Sequence, residues 1–305
     1  MGSYAMNLPV SLSLLILGVF LPLLSRERSS FRVRVVIVLP ALISFLSIVV
    51  AGLWVLDSGV PMRWSVAWVP ELSVELALHL NGIGLLMGGL VTGIGTCIIA
   101  YTLGYMGANP GTMRLCSLLY LFMFAMTGVV LSDHLLVLFI FWELTSISSY
   151  LLIGFNHEDT SARRNALQAL IVTGLGGLSL LAGFLLLYQM TGTWLLSELL
   201  VSEFSLASHP LYIGCVATVL IGAFTKSAQF PFHFWLPNAM SAPTPVSAYL
   251  HSATMVKAGV FLMLVMQPVL GGTEIWSTSL MVSGSLTMVF ALVFGLRQVD
   301  LKKIL

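Results

Sequence analysis

Long apolar runs separated by short polar connections make up almost the whole chain. Runs able to cross about 30 Å of hydrocarbon lie at 8–24, 33–56, 78–103, 115–132, 134–154, 166–190, 210–235, 244–268 and 275–296. The pattern predicts about nine transmembrane helices and an all-α, polytopic membrane protein. Basic residues mark one side of that array: Arg26, Arg28, Arg32, Arg34, Arg114, Arg163, Arg164, Arg297, Lys302 and Lys303 all fall in alternate connections, with Arg63 alone on the opposite side. The positive-inside rule assigns the basic side to the cytoplasm. The N-terminus is then expected outside and the C-terminus inside, in the cell membrane, which would be the inner membrane of a bacterium. The first run precedes its arginines instead of following them, so it is expected to be a retained helix and not a signal peptide.

Two outer connections have features of their own. Between Asp57 and Leu76, Trp64, Trp68, Pro61 and Pro70, with Trp54 just before, predict an interfacial turn or hairpin. Trp194 to Phe204 carries Glu198 and Glu203 without a basic residue and predicts a short amphipathic helix on the outer surface. Glycines recur within the runs, as in Gly82, Gly84, Gly88 and Gly89 or Gly174, Gly176 and Gly177. A phosphate-binding loop needs a strand before it and a soluble helix after it, so these glycines are read as close helix packing.

Lys226 to Gly259, KSAQFPFHFWLPNAMSAPTPVSAYLHSATMVKAG, departs from the apolar pattern. It sets two lysines and two histidines around Pro231, Pro237, Pro243 and Pro245. Each proline removes a backbone donor and clashes with the preceding turn, so continuous helix is not expected there. Within a bilayer a broken helix is tolerated where protein or water satisfies the freed groups, which is a common way to build an ion path.

Composition narrows the function classes. The chain is 58% hydrophobic and 8% charged, against about 25% charged in a soluble domain, and its mean hydropathy is +1.01. A net charge of +1 offers no basic field to nucleic acid. Cys97, Cys116 and Cys215 lie far apart in apolar runs, without the paired spacing of zinc or redox motifs, and are read as small core residues. His157, Glu158 and Asp159 adjoin one another in a connection but lack a ligand spacing. No metal or other cofactor is expected.

The ionisable residues inside the runs are few. Glu143 is the one acid near the middle of a span, in FWELTSISSYLLIGF, where a charge costs on the order of 2.5–3.5 kcal/mol and is a functional candidate by default. Ser146 and Tyr150 share its helical face. Lys226 ends the apolar segment that starts at Leu211, with Thr218, Gln229 and His233 at spacings of roughly one face until Pro231 intervenes. A Glu143–Lys226 pair is expected to hold a proton on the lysine when the carboxylate is near and release it when the carboxylate withdraws. In the next span Ser247, His251, Thr254 and Lys257 form a slanted polar stripe, although His251 and Lys257 stand about 120° apart on an ideal helix. For each of these residues a packing role without transport stays open. Arg163 and Arg164 could steer their loop against Glu143 or anchor to lipid headgroups.

On these residues the chain resembles the antiporter-like membrane subunits shared by Mrp-type multisubunit Na+/H+ antiporters, respiratory complex I and membrane-bound hydrogenases. The lysine-to-glycine stretch, with WLP and APTPVSA within it, and FWELTSISSYLLIGF carry that resemblance. PFHFWLPNAM and HSATMVKAG look most like the A-type member of the Mrp branch. The resemblance implies three regions: N-terminal helices with an outer hairpin at 1–114, a five-helix half-channel bundle containing a proline-broken helix at 115–268, and at 269–305 the first helix of a second, truncated bundle. It gives Glu143 the role of the first-helix carboxylate, Lys226 that of the broken-helix lysine, and His251 with Lys257 the connecting positions. It also implies partners: other membrane subunits of a hetero-oligomeric complex, protons, and Na+ or K+, within the lipid bilayer and without nucleic acid. RQVDLKKIL falls where a second, inverted bundle would begin, so either a fragment or a separate partner chain is expected to supply it. Two rival readings remain, a structural scaffold and a redox-driven proton-pumping subunit.

Overall fold

A computed structural model describes residues 5–25, 30–72, 74–107, 109–201, 206–300 and 302. Arg26, Arg28 and Lys303 of the basic set, and Glu203 and Phe204 of the outer segment, lie outside the described residues. Helices α1 (Asn7–Leu24) and α2 (Phe31–Ser58) lead to a hairpin of β1 (Met62–Val69) and β2 (Val74–Leu80). There follow α3 (Gly82–Tyr105), α4 (Thr112–Leu131), α5 (Leu135–Ile153), α6 (Thr160–Thr191), the short α7 (Leu196–Val201) and α8 (Tyr212–Lys226). The chain ends in α9 (Trp235–Ala239), α10 (Thr244–Ser247), a π-helical stretch Ala248–Thr254, α11 (Met255–Leu270) and α12 (Glu274–Gly295).

Eight helical segments among the described residues are long and apolar enough to cross a membrane, counting Thr244–Leu270 as one; Tyr212–Lys226 is shorter. The protein is thus a helical, multi-pass membrane protein. One expectation changes. The run at 210–235 is not one helix, because α8 stops at Lys226 and a 3-10 turn, Phe232–Phe234, follows before α9. The outer connection, expected as an interfacial turn or hairpin, forms an antiparallel pair with register Met62↔Leu80 to Val69↔Val74 on an otherwise helical fold. The alternation of VELALHL fits a strand, and it shortens the run expected from 78, so that α3 begins at Gly82.

The core sits on α4, most of whose side chains are buried. Its Tyr120 shows how the bilayer dictates packing. Pro40 interrupts the hydrogen-bond ladder of α2, and in lipid every freed backbone group needs a partner. Tyr120 Oη donates to the Ile37 carbonyl at 2.5 Å and accepts from Ala41 N at 3.2 Å. At the other extreme, α12 presents only Trp276 and Ser283 as buried side chains.

The hairpin is pinned to the bundle through Asp133, which is 0% exposed. Its carboxylate pairs with Arg63 Nε at 3.0 Å and accepts from Ser197 N and Oγ, each at 2.8 Å. Its backbone bonds to Ala77 O and Leu196 N. One residue on, His134 caps α5, its Nδ1 accepting from Leu136 N at 3.2 Å. The N-terminus of the Glu143 helix is therefore tied to both outer segments.

Candidate buried-charge site

Four helices, α5, α6, α8 and α11, form the site, and glycines bring them together. A Cβ added at Gly177 of α6 would lie 2.8 Å from Glu143 Cδ and closer still to Oε1. A Cβ at Gly259 of α11 would overlap the Ala223 carbonyl of α8. Small residues thus allow α6 and α11 to close on the helices bearing Glu143 and Lys226.

Lys226 is 0% exposed. Its Nζ donates to Ser146 Oγ at 2.8 Å and to the Trp142 carbonyl at 3.1 Å, and it lies 5.2 Å from the centre of the Trp142 ring. As the last residue of α8 it also lies at the negative end of that helix, where a cation is favoured. The break behind it is satisfied by named groups. Trp235 Nε1 donates to the Thr225 carbonyl at 3.0 Å, and Phe230 N donates to Thr287 Oγ1 of α12 at 2.9 Å.

Glu143 does not touch this ammonium: no Glu143–Lys226 ion pair forms among the described residues. Trp142 and Ser146 are one turn apart and face the lysine, whereas Glu143 is rotated about 100° from Trp142 and lies against Gly177. The two charges still interact electrostatically. Glu143 Oε1 is buried and lacks a hydrogen-bond partner among the described residues. The expected pair is therefore seen apart, with a backbone carbonyl, a hydroxyl and an indole face taking the place of the carboxylate.

His251 is 8% exposed, and neither ring nitrogen has a hydrogen-bond partner among the described residues. It faces the Ala239 backbone short of hydrogen-bond geometry and lies 6.1 Å, ring to ring, from Trp235. Thr254, also buried, donates to Tyr249 O at 2.7 Å across the π-helical stretch. Ser247 is buried and donates to Ala242 O at 3.4 Å. Lys257 is exposed on the face of α11 turned away from the bundle. Six residues turn it far from His251, and the intervening π-helical register does not bring it back inside.

Several supporting positions also lie away from Lys226. Tyr150 is half-buried and makes none of the lysine contacts. Thr218 Oγ1 donates to its own helix, to Gly214 O at 2.8 Å and Cys215 O at 3.0 Å. Gln229 is half-buried and contributes its backbone to the turn, Gln229 N donating to Phe224 O. His233 stacks on Phe230 and faces Phe290 and Phe294 of α12, away from the lysine. Pro231 and Pro237 are exposed, Pro243 is half-buried, and Pro245 lies in the first turn of α10, where its missing donor costs nothing. Arg163 donates to the His157 carbonyl at 2.5 Å, and Arg164 is exposed ten residues, about 15 Å, before Gly174. Among the described residues no three His, Cys, Asp or Glu side chains converge as metal ligands.

The role of Trp142 was not foreseen, because any residue offers a carbonyl. Its spacing of four from Ser146, just before the intramembrane acid, is the signal that could have drawn attention to it.

Comparison with known families identifies the chain's family. Residues 132–305, more than half of the chain and the part that bears every residue of the buried site, match the model described as NADH:quinone oxidoreductase/Mrp antiporter, TM. The chain belongs to the NADH:quinone oxidoreductase/Mrp antiporter transmembrane family. Residues 64–115 match the N-terminal model of complex I chain 5. Similar family members include a Staphylococcus haemolyticus (strain JCSC1435) protein named as a candidate antiporter subunit, mnhA2, 47% identical over 80% of this chain and 31% of its own length. A Rhizobium meliloti (strain 1021) protein, named as a probable K(+)/H(+) antiporter subunit of A/B type, is 46% identical over 87% of this chain and 26% of its own. A chain in the structure of the Mrp complex from Dietzia sp. DQ12-45-1b superposes with a TM-score of 0.84 at 35% identity, over 99% of this chain and 32% of that one. The chain spans about a third or less of these Mrp-type family members.

Proposed function

We propose that this chain is the proton-conducting part of a cation/proton antiporter subunit, exchanging H+ for Na+ or K+ beside other membrane subunits. The observation that carries the reading is the fully buried Lys226, held by Ser146 and Trp142 with a carboxylate nearby but not in contact. Burying a charge without a counter-charge in contact is costly, and the contacts with Ser146 and Trp142 offset that cost without a neutralising carboxylate. The names of the Staphylococcus, Rhizobium and Dietzia proteins support the antiporter class.

In this mechanism Glu143 leaves its seat on Gly177 and swings towards Lys226, holding a proton on the amine; its return lets the proton go. The Tyr212–Ala239 segment acts as one helix interrupted at its prolines, and water enters beside the lysine when the interruption opens. His251, with both nitrogens unengaged, takes the proton onward. Lys257 passes it to whatever protein covers the outer face of α11. The basic connections support a cytoplasmic C-terminus and an outer hairpin, in the inner membrane of a bacterium.

The experiment is cation-dependent proton movement in inverted vesicles carrying the whole complex. Proton flux driven by added Na+ or K+ is expected. The family also includes redox-driven subunits, so vesicles indifferent to both cations yet pumping on a redox substrate would replace the antiporter reading with that one.

A further inference from the structure

A second site lies at the other end of α6, outside the proton route. Ser161, Arg164, Gln168 and Ile171 follow one another at spacings of three, four and three, and so form one stripe along the helix. With Asn165, Leu167 and Phe234 of the segment before α9, they line a groove of about 670 Å³. Its polarity changes along its length. Arg164 and Asn165 lie at the terminal end, and Leu167, Ile171 and Phe234, each about half exposed, lie deeper. Arg164 and Ile171 are seven residues apart, about 10 Å along the helix axis.

The two adjacent arginines are used differently. Arg163 is engaged by the His157 carbonyl. Arg164 forms no ion pair among the described residues, although Glu158 and Asp159 lie in the same turn region. Asp159 instead caps α6, accepting from Ser161 N at 2.8 Å. The groove therefore offers an uncompensated guanidinium next to the Asn165 amide, one N–H of which donates to Ser241 Oγ at a long 3.5 Å, above an apolar trough that runs into the membrane.

We infer that this groove binds one anionic phospholipid, its phosphate on Arg164 and Asn165 and an acyl chain along Leu167, Ile171 and Phe234. The guanidinium fork suits a phosphodiester, and the apolar length accommodates the first part of a chain. A zwitterionic lipid would bring its own cation to the same guanidinium and gains less. Because Asn238 Nδ2 donates to Gln168 Oε1 at 2.8 Å across the groove, the lipid would brace α6 against the segment that follows the Lys226 break. The inference rests on the membrane-spanning arrangement and not on the proton route; the sidedness proposed above places the lipid in the cytoplasmic leaflet.

The test is native mass spectrometry of the whole complex, purified in detergent and supplied with phosphatidylglycerol, phosphatidylethanolamine or inorganic phosphate. Wild type is expected to retain one phosphatidylglycerol per copy in preference to phosphatidylethanolamine and in the presence of excess phosphate. Arg164→Gln is expected to lower that retention about tenfold, the equivalent of about 1.4 kcal/mol. Ile171→Trp, which fills the trough while keeping Arg164, should lower it too, and Arg163→Gln should not. Equal retention of both lipids, displacement by free phosphate, or an unchanged Arg164→Gln complex would overturn the inference. So would a wild-type complex that retains no lipid there because a partner helix occupies the groove. The readout is mass, so a silent transport assay leaves this result intact and the reverse also holds.

Discussion

Adding one methyl group at Gly177 should change transport without unfolding the protein. A Cβ there would sit 2.8 Å from Glu143 Cδ and inside contact distance of Oε1. The carboxylate is the movable partner, since the opposing atoms belong to the end of a flexible side chain. Moving it off a preferred rotamer costs about 0.5–1.5 kcal/mol, and crowding in a packed interface costs about 1–3 kcal/mol. Gly177→Ala should therefore assemble at close to normal levels, with Glu143 denied its resting seat away from Lys226. A bias of about 1.4 kcal/mol on that swing changes its rate or population about tenfold. Gly174→Ala is the matched control, because its Cβ would meet Glu143 Oε2 at an ordinary 3.9 Å. The assay is cation-driven quenching of a pH-sensitive dye in inverted vesicles, normalised to assembled complex on native gels. Normal flux in Gly177→Ala, or equal loss in both variants, would refute the idea that this seat belongs to the transport cycle.

Further outcomes follow from the same contacts. Ser146→Ala removes the 2.8 Å acceptor of Lys226, a loss of about 1.5–3 kcal/mol for a bond to a charged group, and should slow flux at least tenfold at matched assembly. Tyr120→Phe strands Ala41 N and Ile37 O at about 1–3 kcal/mol for each unmet group, which a lowered thermal-aggregation midpoint would report; an unchanged midpoint would count against the packing described for Pro40. Asp133→Ala takes the 3.0 Å partner from the exposed Arg63, which keeps Glu75 at 3.4 Å, and leaves Ser197 N and Oγ unmet, at about 1–3 kcal/mol for each unmet group, and should open the hairpin to added protease. His79 lies in β2, outside the spans, and burial pushes it below its ordinary value of 6.5; Asp133 pulls it up less strongly and Arg63 adds to the lowering. The folded hairpin therefore binds fewer protons than the unfolded chain, so this stability is present above about 6.5 and is lost as pH falls through the folded value. Protection of the β2 amides, taken relative to the intrinsic exchange rate at each pH, should fall on acidification in wild type and lose that component in His79→Gln.

The spans were legible because bilayer thickness imposes length and apolarity, and both can be read directly along a chain. The hairpin could be anticipated from Pro61, Pro70 and the tryptophans, and its strand character from the alternation in VELALHL. The run at 210–235 misled because Phe230, Phe232, Phe234 and Trp235 are as apolar as helix residues, while the chain around Pro231 leaves the helix. Glu143, Lys226 and His251 stood out as rare charges or histidines in apolar surroundings, and the structure places all three in the interior. What sequence could not supply was direction. Nothing in FWELTS states that the lysine meets the Trp142 carbonyl while the acid turns to Gly177. A π-helical stretch around His251 leaves no periodic signature, and the exposure of Lys257 depends on which helix faces find partners. Gly176 and Gly177 sit in close helix contacts, as the packing reading expects, whereas a Cβ at Gly82 or Gly89 would meet open space; only the fold singles out Gly177 as the seat of a carboxylate.

The most direct test of the account replaces Lys226 with methionine, which keeps most of its volume and removes its charge and donors. Cation-driven proton flux in inverted vesicles would be compared with wild type at equal assembly of the complex. The account predicts that flux disappears in Lys226→Met while the complex remains intact. Flux equal to wild type would contradict it and leave the buried lysine with a packing role.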